Sequence, residues 1–147
     1  MGYLSTFSGA YSPVCKIDDS MRAKILNIFI NRFGQYACNQ RGVCGFDEEV
    51  GRNYTGTIFY NTKDDTIYPV YCEMKAYDFP YEVKYIVEEL MKIGVSIEGF
   101  VDRSGEEFGD CERISVRDGK VISQKTCLSD GEEIIDTENP YNKLFGR

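Results

Sequence analysis

Histidine is missing from all 147 residues of this chain. Its absence removes the side chain whose ordinary pKa lies nearest neutrality, and with it Ser-His and Cys-His nucleophile pairs and a histidine general base. A zinc site would need four thiolates or carboxylate help. The six cysteines (Cys15, Cys38, Cys44, Cys72, Cys111 and Cys127) include no C-x-x-C spacing. Cys38 and Cys44 are the one close pair, and a half-site built from them lacks an evident second half. With no export signal, the thiols are expected to be reduced, small and buried. There is no Gly-rich phosphate loop ending in Lys-Ser/Thr and no G-x-G-x-x-G turn. Carboxylate, thiol, Tyr, Lys and Arg are what remain for chemistry, so no catalytic residue, metal or cofactor is assigned.

Two further absences bear on partners. No two Lys or Arg residues are adjacent, and 17 of them stand against 24 Asp and Glu, a formal charge of −7. Such a chain is repelled by phosphate backbones, so nucleic acid is disfavoured as a direct ligand and a basic protein surface is the natural partner. No apolar run approaches the ~20 residues that span a bilayer, so no membrane association is expected.

What is present is enough for one domain with one core, without a disulfide or metal to hold it. Residues 2–11 alternate bulky and small side chains and predict a first strand ended by Pro13, with Gly9 marking a bulge or a close backbone approach. Asp18 and Asp19 offer caps for a helix over 20–33, whose buried stripe holds Met21, Ile25, Ile28 and Phe29, widened by Leu26, Ile30 and Phe33. Residues 34–53 show no period and read as an irregular loop. A hairpin follows around Lys63-Asp64-Asp65, with Pro69 placing its strand at a sheet edge or at a bulge.

Asp78 caps a second helix, with Pro80 tolerated in the first turn. Val83, Ile86, Val87, Leu90 and Ile93 are its buried stripe, and Glu82, Lys84, Glu88, Glu89 and Lys92 its wet face, with Glu88 and Lys92 paired. Val95, Ile97, Gly99 and Val101 alternate with polar residues and predict a strand. Two more strands flank Asp118-Gly119, a dipeptide that accepts positive φ at both positions. A two-residue loop sets Val116 opposite Val121, Ile114 opposite Ser123 and Glu112 opposite Lys125, the last as a charge pair. The fold class is therefore α+β, one antiparallel sheet with two helices on one face, in the order β-α-β-β-α-β-β-β. One domain spans 1–127, and 128–147 is a polar tail expected to pack loosely.

Two groups of residues are candidates for function. Glu106, Glu107 and Asp110 crowd the loop SGEEFGD. They read as a catalytic acid pair, a hard-cation loop, a charged contact surface or a solvated turn. Adjacent glutamates need not converge, and the D-x-D-x-D-G calcium pattern is absent. Seven of the 11 tyrosines fall between residues 54 and 85, more than one sheet face can bury with every hydroxyl satisfied. Tyr77, Tyr81 and Tyr85 are the ones singled out for a protein-binding surface, where tyrosine is enriched at hot spots.

The opening MGYLSTFSG and the block IVEELMKIGVSIEGFVDRSGEEFGDCERISVRDGKV resemble a group of small uncharacterised proteins of phages and mobile elements. Those begin Met-Gly-Tyr-x-Thr-x-Phe-x-Gly, where this chain has Ser5 and Thr6 around the threonine position. They close with a helix, a G-x-V strand, a Gly-Glu-acidic loop reaching Asp, and a D-G-K-V hairpin. The resemblance implies a setting in the cytoplasm of a bacterial host and carries no catalytic residues. It implies a non-enzymatic binder of a host protein, such as an inhibitor of a bacterial defence system of the anti-CRISPR kind. The chain's acidity adds a basic surface on that partner, and a self-associating accessory protein is a separate reading. The alternative is a small enzyme or ligand-binding domain using the loop carboxylates or a cysteine.

Overall fold

The computed structural model describes residues 4–33, 56–70, 73–74, 78–125, 131–135 and 137. The expected fold class is what it shows: one eight-stranded antiparallel sheet with two helices on one face. In chain order the elements are β1 (Ser5–Pro13), α1 (Asp19–Phe33), β2 (Ile58–Asn61), β3 (Thr66–Pro69), β4 (Glu73–Met74), α2 (Phe79–Lys92), β5 (Ile97–Ser104), β6 (Cys111–Arg117), β7 (Lys120–Lys125) and β8 (Glu132–Ile134). Across the sheet the order is β2-β3-β1-β5-β6-β7-β8, with β4 also paired to β1. The order differs from expectation by two short strands, β4 and β8. The loop over 34–53, with Cys38 and Cys44, lies outside the described residues.

Strand parity decides what is buried. Phe7 and Tyr11 on β1, Ile97 and Val101 on β5, Ile114 and Val116 on β6, and Val121 on β7 all face the helices. Against them α1 sets Ile25, Phe29 and Phe33, and α2 sets Phe79, Val83, Ile86, Val87 and Leu90. Phe7 meets Phe79 at 5.0 Å between ring centroids, and Phe29 stacks on Tyr60 at 5.8 Å. Each such side chain stabilises the fold by about 1.5–3 kcal/mol through burial. The Asp18 carboxylate accepts a bond from the Met21 amide at 2.8 Å and caps α1 as expected. Asp78 stands at the α2 cap position without a side-chain cap bond; its carbonyl accepts the amides of Tyr81 and Glu82 instead.

Pro13 ends β1 as expected, as its last residue, opposite Ile97. Several other local readings are corrected. Pro69 does not mark a sheet edge: β3 lies between β2 and β1, and the proline is tolerated as its last residue. The bulge reading fits better. Ile67 faces Tyr11 and Glu73 faces Thr6, so six steps along β3–β4 match five along β1, and one extra residue is taken up between them. Glu82 leaves the wet face of α2 and is half-buried, its carboxylate accepting bonds from the Thr57 amide (2.6 Å) and the Thr57 hydroxyl. Lys92 pairs with Glu89 at 2.6 Å, and Glu88 with Lys84 at 3.7 Å, in place of the expected Glu88–Lys92 pair. Cys15 is exposed and Cys111 half-buried, so neither is a buried core cysteine.

Candidate functional site

The Asp118-Gly119 hairpin forms as the dipeptide demands, with φ of 55° and 77°, and the register is the expected one from Glu112–Lys125 to Val116–Val121. That register fixes where β6 begins, and hence where the loop 105–110 leaves β5 and returns. The loop is tightly tied. The Gly105 amide donates to the Asp110 carbonyl at 2.7 Å, the Asp110 amide to Glu107 at 3.1 Å and the Cys111 amide to Gly109 at 3.0 Å, with Gly109 at φ 82°.

Beneath it lies a charged knot. Continuing the inward parity of β5 past Val101 puts Arg103 on the helix-covered side of the sheet, opposite Glu112. Its side chain is only 12% exposed, and three groups accept its hydrogen bonds. Nε donates to Glu112 Oε1 at 2.6 Å, Nη2 to Asp110 Oδ1 at 2.8 Å and Nη1 to Ser5 Oγ at 3.1 Å. The Ser123 hydroxyl donates to the other Glu112 oxygen. Glu112 is thus taken by Arg103 and Ser123, and its expected charge pair with Lys125 gives way to these bonds although the two residues are opposite. Nearby, burial and the carboxylates of Glu112 and Asp102 push the Tyr11 phenol well above its ordinary pKa, so it stays protonated and donates to the Ile114 carbonyl at 2.8 Å. A guanidinium with three partners, planar and always charged, anchors both ends of the loop.

The three loop acids therefore differ in use. Asp110 turns inward to Arg103. Glu106 is exposed, and its carboxylate accepts the Leu4 amide at 2.9 Å, tying the loop to the start of β1. Glu107 is exposed. Between Glu107 and Gly109 stands Phe108, fully exposed at 108% of its reference area. An aromatic ring wholly in water on a loop held by an ion-pair knot is the feature that sequence reasoning passed over. The one signal was its place after two glutamates and before a glycine, where no strand or helix period could bury it.

The tyrosines are placed elsewhere. Tyr77 lies outside the described residues, as do Tyr54 and Tyr71. Tyr81 and Tyr85 are half-buried on α2, and Tyr85 lies under the Arg32 guanidinium of α1 at 4.3 Å. Tyr60 is fully buried, and Tyr68 is half-buried with its hydroxyl on Asp64 at 2.8 Å. Glu106 and Tyr85 have different surroundings, Leu4 for one and Arg32 for the other.

A shallow depression of about 370 Å³ is lined by Asp102, Arg103, Ser104, Cys111, Glu112, Arg113 and Gln124, residues of both sheet parities. Arg113 is bound to Asp102 through two bonds of 2.8 and 3.0 Å, and Cys111 Sγ lies 3.5 Å from Ser104 Oγ. Its cations are matched by anions, and neither Glu106 nor Glu107 lines it. Among the described residues no three His, Cys, Asp or Glu side chains are grouped to hold a metal ion. No helix among them is long and apolar enough to cross a membrane. Comparison with protein-family models, curated proteins and solved structures finds no match to this chain.

Proposed function

We propose that this protein is a non-enzymatic binding module whose contact centre is the loop 105–110, with Phe108 as anchor and Glu106 and Glu107 as its charged rim. The observation that carries the reading is the full exposure of Phe108 on a segment tied by Arg103, Asp110 and Glu106. An exposed phenyl ring gains its burial only when a partner covers it, and a loop already ordered loses little entropy at that moment. The flanking carboxylates and the net charge of −7 select a partner whose apolar pocket is rimmed by Lys or Arg. The resemblance of residues 1–9 and of the block around 86–121 to phage proteins supports a bacterial host protein as that partner, and inhibition of a defence factor as the outcome. Tyr81 and Tyr85, half-buried on α2, are kept at most as rim contacts.

Affinity capture from a bacterial host lysate tests this, with the wild-type chain, Phe108→Ala and the double variant Glu106→Lys/Glu107→Lys as parallel baits. A protein held by the wild type, lost from both variants and eluted by salt is the expected result. Equal retention on Phe108→Ala would remove the loop from the interface. The setting has its own readout: phage plating on a host armed with a defence system should rise when the wild type is expressed. If plating rises equally with Phe108→Ala, inhibition does not run through this loop.

A further inference from the structure

The side of the sheet away from the helices has its own character. Along β1, β5, β6, β7 and β8 its charged residues are three acids, Glu98, Asp102 and Glu133, and three bases, Arg113, Arg117 and Lys120. A protein carrying −7 overall thus presents one extended face that is charge-balanced, with the acidic Glu73 of β4 at its margin. Phe100 stands near its centre, 43% exposed, with Ala10 and Ser115 as cross-strand partners and the Arg113 guanidinium 3.9 Å over its ring. Beside such small partners, and with Arg113 over one side, the ring keeps part of its area open to water.

We propose that this face is where a second copy of the chain docks, sheet against sheet. Elsewhere two copies of so acidic a protein repel, and a basic partner, which the loop 105–110 would attract, finds no excess of carboxylate here. A balanced face suits a two-fold axis, because Asp102 and Arg113 sit side by side and each copy can offer its base to the other's acid. In such a pair the four charges alternate, and the two Phe100 rings leave water together. Five strands about 4.8 Å apart and seven residues of about 3.4 Å give roughly 500 Å² per copy. Two copies reach about 1,000 Å², the lower bound for a specific interface, so the dimer is a weak one.

Analytical ultracentrifugation of the full chain tests the proposal, up to roughly 1 mM. The wild type should move from one chain mass towards two as concentration rises. Asp102→Lys and Arg113→Glu should each stay monomeric, since like charges then meet across the axis. An equimolar mixture of the two variants should regain the dimer, which also shows that both are folded. A wild type that stays monomeric overturns the proposal and leaves the face to a different occupant or to solvent. So do single variants that dimerise as the wild type does, or a mixture that fails to recover. None of these outcomes bears on the loop 105–110, which the capture experiment tests separately.

Discussion

Gly9 and Gly99 flank the same cross-strand pair from opposite strands. Ala10 faces Phe100 between β1 and β5; a Cβ on Gly9 would stand 2.3 Å from the Phe100 carbonyl oxygen, and one on Gly99 2.4 Å from that of Ala10. Both glycines have positive φ, 117° and 140°. The two strands at the centre of the sheet approach each other in a way that no other residue permits. Phe100 is brought to the open face between them.

Gly9→Ala or Gly99→Ala should therefore cost about 2–4 kcal/mol, combining backbone strain with a clash against main chain that cannot swing away. Gly94, at φ 81° with nothing within 4 Å of a built Cβ, is the control. Its alanine variant carries strain alone and should cost about 1–2 kcal/mol. Urea unfolding of the three variants separates the effects. If Gly9→Ala and Gly94→Ala lose the same stability, close approach is not what the β1 glycine supplies.

Glu82 and Asp65 should give opposite pH slopes. Burial raises the Glu82 carboxyl above its ordinary pKa, against the opposing bonds from Thr57, with Asp78 adding to the rise and Arg32 reducing it. The folded state then holds the Glu82 proton more tightly than the unfolded chain. This group's contribution is fully present below the unfolded value, about 4.3, and is lost as pH rises through the folded one. Glu82→Gln keeps an acceptor for Thr57 and has no proton to lose. Its advantage over the wild type should be smallest near pH 4 and grow towards pH 7. Thermal unfolding across that range checks it, and a difference independent of pH would reject the assignment.

For Asp65 the sign reverses. Bonds from Arg22 Nε (2.9 Å) and Nη2 (3.1 Å) lower its pKa, burial opposes, and the Tyr60 hydroxyl adds a further bond at 2.5 Å. The stability it provides is present above the unfolded value of about 3.9 and is lost as pH falls through the depressed folded one. Asp65→Asn should flatten the acid limb of the stability curve. At pH 7 it should cost about 1–3 kcal/mol, the price of leaving Arg22 and Tyr60 poorly matched. An unchanged acid limb would place the acid sensitivity elsewhere.

Period-driven elements were legible because their residues repeat a local choice. Asp118-Gly119 set a register that holds at each of its pairs. The spacing announced the buried Ile25, Phe29 and Phe33 of α1 and Val83, Ile86, Val87 and Leu90 of α2, while Met21, Leu26, Ile28, Ile30 and Ile93 are only half-buried. What stayed hidden depends on partners distant in sequence. Glu82 looked wet because helical spacing does not reveal Thr57 of the neighbouring β2 region. Three residues of β8, Glu132–Ile134, are too few to show a period, and their strand character comes from the β7 edge they cover. The loop acids were visible as a cluster, but their division of labour depends on Arg103. Its inward parity, a charge in line with Val95, Ile97 and Val101, was the overlooked clue.

Arg103 and Phe108 should separate stability from binding in the same loop. Arg103→Lys keeps the charge but gives up the fork, so one of Asp110, Glu112 and Ser5 loses its donor beside a largely buried site. A cost of about 1–3 kcal/mol is expected in urea unfolding, together with faster cleavage after Glu106 or Glu107 by a glutamate-specific protease as the loop loosens. Phe108→Ala removes a ring that touches only water and should shift unfolding by less than about 0.5 kcal/mol, with cleavage unchanged. If Phe108→Ala instead destabilises as Arg103→Lys does, the ring packs on the protein in solution and cannot be waiting for a partner. If only Arg103→Lys destabilises, the chain spends an ion-pair knot on holding in water a ring that contributes nothing to its own fold, which is the arrangement a binding anchor requires.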